Sequence, residues 1–134
     1  MEAAAASTEM TVLGWSVVLL LVHIVVQTLF LVKDGGLAYA MSNRDGEVAI
    51  TLVTSRLTQG LRNFVETYGA FVALALALAA TGKTGGLGAT GALIWFGARV
   101  VYLPVFAVGI PVLRTGVWTV SIVGLLLMLV ELMS

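Results

Sequence analysis

From Thr11 to Val32 the chain runs 22 residues without a formally charged side chain. About 20 apolar residues suffice to cross a hydrocarbon core about 30 Å thick as a helix, so a first span is predicted over 11–32. The stretch "KDGGLAYAMSNRDGE" follows, with Gly35-Gly36 and Asn43 to Gly46 as turn chemistry, and residues 33–46 read as a polar connection. Helical apolar sequence then extends from about Glu47 to Ala80. At about 1.5 Å per residue such a helix is about 51 Å long, more than the hydrocarbon thickness, so its first half is expected to protrude or to be shielded by protein. "TGKTGG" at 81–86 predicts a tight connection, and apolar sequence resumes over 87–107 as a third span. "VGIP" breaks it, Pro111 suits the first turn of a new helix, and 111–133 forms a fourth span.

Composition agrees with this pattern. Of 134 residues, 60% are hydrophobic and 10% charged, against roughly a quarter charged in soluble domains. The expected fold is therefore an all-α integral membrane protein, one domain over 1–134, with four transmembrane helices in an up-down bundle. Seven Lys and Arg balance seven Asp and Glu, so there is no basic excess to attract nucleic acid. Cysteine is absent, which excludes disulfides, thiolate metal sites and a cysteine nucleophile. "MEAAAASTEM" lacks a basic n-region, and the apolar run after it is too long for a signal-peptide core, so the first span is expected to be retained. Four spans place both termini on one side. Lys33, Arg44 and Arg114 lie on the other side, against Lys83 alone on the first. The positive-inside bias therefore puts connections 33–46 and 108–111 in the cytoplasm and both termini in the periplasm.

"GKT" at 82–84 has the look of a phosphate loop, but Ala77 stands where that motif needs glycine and no strand precedes it, so it reads as a turn. Gly88, Ala92, Gly116 and Gly124 suit close helix contact rather than a ligand.

Function must lie in the polar exceptions. Arg56, Gln59, Asn63 and Glu66, at offsets 0, 3, 7 and 10, fall within roughly 80° on a helix that turns about 100° per residue. Arg62 borders this stripe and, four residues before Glu66, can reach it. Arg99, Tyr102 and Phe106 share a face of the third span, and Arg114 opens the fourth. A charge at membrane depth costs about 2.5–3.5 kcal/mol, so Arg62, Glu66 and Arg99 are expected to point into protein and pair. Two readings stand: interhelical glue, or a pocket for an anionic ligand at the cytoplasmic end. His23 and Gln27, one turn apart on the first span, are packing residues or ligand contacts; with no second His and no Cys, a metal site is not expected. Trp95, Trp118 and Tyr102 read as interface anchors or core, Tyr102 with a polar task.

"NRDG", Arg56, "RNFVE" at 62–66, Phe71 and "ARVVYLPVFAVGIPVLRTGVW" at 98–118, in this order on helices two to four, resemble the MAPEG superfamily, the membrane-associated proteins of eicosanoid and glutathione metabolism, and its bacterial branch most closely. The resemblance covers Gln27 to Leu129. It implies a homotrimer in the bacterial inner membrane, in contact with lipid, with glutathione held between neighbouring subunits near the cytoplasmic side. Arg62, Asn63 and Glu66 resemble the glutathione-binding triplet of helix two, with Arg56 and Gln59 on the same shelf. Arg99 and Tyr102 resemble the span-three contacts, and Arg114 the arginine that stabilises the glutathione thiolate. Gln59 stands where several eukaryotic members carry arginine, Phe106 where they carry a tyrosine hydroxyl, and Gly69 where proline is frequent. The implied activity is a glutathione transferase or peroxidase acting on a lipophilic electrophile or hydroperoxide. The alternative is a non-enzymatic trimeric scaffold that binds lipid or a partner protein. Small drug/proton antiporters are also short four-helix proteins, but they carry their essential carboxylate in helix one, where 11–32 has none.

Overall fold

A computed structural model describes residues 6–42 and 50–134. Within them the chain forms α1 (Thr8–Gly35), α2 (Leu37–Met41), α3 (Leu52–Ala80), α4 (Gly86–Val108) and α5 (Pro111–Met133). The four long helices are each long and apolar enough to cross a membrane. No strand occurs among the described residues.

Helix ends follow local chemistry. Ser7 caps α1, its hydroxyl accepting from the Met10 N–H at 3.3 Å. Gly36, at φ 86°, ends α1 in a conformation that side chains with a Cβ rarely adopt. The connection expected to be only polar thus carries a short helix, α2, before the chain leaves the described residues; Arg44 lies outside them. Glu47, the expected start of the second long helix, lies outside them too. The described helix begins at Leu52, because Ile50 and Thr51 are not helical and Thr51 is an extended N-cap whose hydroxyl accepts from the Thr54 N–H. Asp34, near the end of α1, accepts from the Thr51 N–H at 2.8 Å and from its hydroxyl at 3.1 Å. One carboxylate therefore ties the end of α1 to the start of α3. With 29 residues, α3 is about 43 Å long rather than about 51 Å.

α1 and α3 run antiparallel, joined by polar contacts spread along their length. Ser16 meets the Tyr68 hydroxyl at 2.8 Å, Gln27 Nε2 donates to Thr58 at 3.1 Å, and the Thr54 hydroxyl donates to the Phe30 carbonyl. From Ser16 to Phe30 α1 advances by as many residues as α3 steps back from Tyr68 to Thr54. His23 falls between these rungs: it is buried against Phe64, centroids 5.0 Å apart, with both ring nitrogens unpartnered.

α4 and α5 pack most closely. A Cβ on Gly124 would lie 2.6 Å from the Gly91 carbonyl oxygen, so neither position has room for a side chain. Gly88 and Ala92 are buried as well, as small-residue packing requires. Gly116 departs from that expectation, being exposed with nothing within 4 Å of where its Cβ would stand. Gly109, in the left-handed region at φ 82°, turns the chain from α4 into Pro111 at the start of α5. Phe64, Phe71, Trp95 and Met128 are fully buried at the centre, with Phe71 stacked on Trp95 at 4.0 Å. The backbones of α1 and α5 stay more than 8 Å apart, which leaves α3 and α4 as the inner pair of the bundle. Val17, Leu21, Val123 and Val130 face outward, the surface a bilayer requires.

Candidate functional site

A recess of ≈ 330 Å³ opens between α3 and α5, above α4. α3 contributes Gln59, Arg62, Asn63 and Glu66, so helical spacing does gather most of the polar stripe on one wall. α4 contributes Tyr102 and Phe106 one turn apart, ring centroids 5.3 Å apart. α5 contributes Arg114, Thr115 and Trp118. The Arg114 guanidinium lies 4.8 Å from the centroid of Phe106 and is half-buried. Phe106 thus gives that cation an aromatic face to rest on.

Two of the expected contacts lie elsewhere. Arg56 donates to the carbonyls of Val108, at 3.1 Å, and Ala107, at 3.5 Å, so it closes the carbonyl end of α4 instead of lining the recess. Gly109 makes this possible: a Cβ there would collide with the Arg56 guanidinium. Arg99 is fully buried beneath the wall. It donates to Asn63 Oδ1 at 2.9 Å and to the Thr67 hydroxyl at 2.8 Å, and its guanidinium lies 4.9 Å from the Tyr102 centroid.

The expected ion pairing does not occur. Arg62 and Glu66 are both exposed, and no ion pair joins them among the described residues. Arg99 meets an amide oxygen, a hydroxyl and aromatic faces rather than a carboxylate. Among the described residues the recess therefore presents two cations and one carboxylate without ion-pair partners, together with a set of neutral polar groups. Such a set can receive a small ligand that carries both signs of charge with the negative in excess. His23 and Gln27 lie on the far side of α3 from it, at the α1 contact, and line no part of it. Among the described residues, no three His, Cys, Asp or Glu side chains are grouped to hold a metal ion.

Thr67 and Thr115 escaped the sequence reading, and Trp118, expected as an interface anchor or core, also lines the recess. Thr67, four residues after Asn63, shares its face, and that spacing was available as a signal. Thr115 follows Arg114 directly, and no feature of the sequence distinguishes it. Glu9 is fully buried far from the recess, its carboxylate accepting from the Gly85 N–H at 2.9 Å at the start of α4, where a helix favours negative charge.

Comparison with known proteins gives one finding: the MAPEG family pattern matches residues 11–134. No curated protein and no solved structure matches the chain.

Proposed function

Because this chain belongs to the MAPEG family, we propose that the recess between α3 and α5 is the glutathione site of a membrane-embedded transferase or peroxidase. Glutathione carries two carboxylates, an ammonium, two peptide groups and a thiol. The donor set fits that inventory, with Arg62 and Arg114 for anionic groups, Glu66 for the ammonium, and Gln59, Asn63 and Tyr102 for the neutral ones. The volume, ≈ 330 Å³, falls at the lower end of about 300–1,000 Å³ for small-molecule sites.

The single observation that carries the reading is Arg114. It stands in the first turn of α5, a turn with no acidic residue, so its charge opposes the positive end of the helix dipole. Among the described residues Arg114 has the Phe106 ring for a neighbour but no carboxylate, and a residue that breaks a local rule in this way is expected at a functional site, where the missing counter-charge is an anion. That anion is the ligand thiolate. A free thiol has a pKa near 8.5, and one adjacent cation lowers such a value by about 1–3 units. A shift of about two units raises the thiolate fraction at neutral pH from about 3% to about three quarters. Arg62 and Glu66 fix the peptide, and a lipophilic electrophile or hydroperoxide arrives from the bilayer.

Arg62 and Glu66 also bear on assembly. Exposed charges on a membrane helix need protein or trapped ligand around them rather than lipid. A homotrimer with the recess at a subunit boundary, in the bacterial inner membrane with both termini periplasmic, meets that need. A second reading, a non-enzymatic scaffold, draws on Gln59 and Phe106, which offer neither a charge nor a hydroxyl to a tripeptide.

The test is the pH profile of glutathione conjugation to a lipophilic electrophile, with the uncatalysed rate subtracted. Arg114→Ala is expected to lose most activity near neutral pH and to recover part of it as the pH approaches the free thiol value. Parallel wild-type and variant profiles would refute thiolate activation. No wild-type rate above background at any pH would support the scaffold.

A further inference from the structure

Asn63 sits between the recess, which it lines, and a fully buried arginine behind it. Arg99 is donor-only, so whatever faces its guanidinium must accept. Asn63 therefore turns Oδ1 inward, 2.9 Å from an Arg99 nitrogen. The neighbouring Thr67 hydroxyl accepts from Arg99 at 2.8 Å and spends its own hydrogen on the carbonyls of Phe64, at 3.3 Å, and Asn63, at 3.5 Å. With Oδ1 engaged, the Nδ2–H₂ of Asn63 has no partner among the described residues.

We infer that Arg99 is a positioning residue that locks the Asn63 carboxamide with its N–H₂ toward the recess, so that this wall donates and selects a ligand presenting a carboxylate or carbonyl oxygen there. The inference rests on reading the recess as a glutathione site and adds a polarity to one of its walls. A free asparagine can rotate its amide to donate or accept, and so discriminates little. One held by a buried guanidinium cannot rotate without facing N–H₂ toward N–H, a loss of the kind that makes buried unsatisfied donors costly. Arg99 does this without touching the ligand. Its own Nε lacks a partner, so its placement already carries a cost that the fold retains.

Asn63→Asp separates this role from simple packing, because it moves stability and affinity in opposite directions. A carboxylate at position 63 still accepts from Arg99, now as an ion pair, but turns an acceptor toward the recess in place of a donor. The variant is expected to melt at or above the wild-type temperature while glutathione affinity, measured by isothermal titration, falls about tenfold or more. Arg99→Lys keeps the charge but not the two-pronged hold, and is expected to weaken binding although position 99 lies outside the recess. Two results overturn the inference: wild-type affinity in Asn63→Asp, or a lowered melting temperature in that variant, which would mean that Arg99 does not face Oδ1. If wild type binds no glutathione, the functional reading fails on that result alone, while the Asn63→Asp melting temperature still decides how the amide is held.

Discussion

At the scale of single residues, the polar stripe of α3 was legible because helical spacing alone puts Gln59, Asn63 and Glu66 on one face. What each does was less legible. Arg99 was expected to find a carboxylate and found Asn63 and Thr67, since any acceptor at the right depth satisfies a guanidinium and sequence does not report depth. Arg56 has the same periodicity as the site residues yet serves the carbonyls of Ala107 and Val108. Only the approach of α4, with glycine at 109, makes that contact, and the sequence of α3 holds no trace of it. Arg62 and Glu66, exposed and unpaired among the described residues, do not form the buried pair whose rupture would unfold the chain. Arg62→Ala is therefore expected to act on ligand affinity, lowering it roughly 3- to 30-fold, less than a buried charged hydrogen bond would because the side chain is exposed. Titration of glutathione into this variant checks it, and unchanged affinity would remove Arg62 from the site.

At the scale of elements, helix ends marked by glycine and proline were readable. Gly36, Gly109 and Pro111 stand where the chain turns. The start of α3 was not readable, because the apolar residues after Glu47 are compatible with a helix. Asp34, distant in sequence, helps set the boundary by holding the Thr51 N–H and hydroxyl. The small residues of α4 and α5 show a similar division: Gly124 lies at the crossing and Gly116 does not, and composition alone cannot tell which glycine faces the partner helix. At Gly124 a side chain would meet the Gly91 carbonyl at 2.6 Å. Gly124→Val is expected to cost about 1–3 kcal/mol through overpacking, seen as a lower melting temperature, whereas Gly116→Val is expected to leave it unchanged. Equal behaviour of the two variants would contradict the crossing.

At the scale of the whole molecule, the four spans and the all-helical class followed from hydropathy, because a bilayer allows few other ways to satisfy backbone polar groups. Assembly does not follow from one chain, yet the recess argues for it: Arg62 and Glu66 are exposed on a helix otherwise suited to lipid. Native mass spectrometry in mild detergent is expected to show a trimer, and a stable monomer would leave those charges without cover. The central claim is that the recess lined by Arg62, Asn63, Glu66, Tyr102 and Arg114 holds glutathione. Isothermal titration of glutathione into the detergent-purified wild-type protein tests it most directly. The account predicts a saturable heat with a Kd below about 1 mM, equivalent to more than about 4 kcal/mol of binding free energy; absence of any saturable heat at several times that concentration would contradict it.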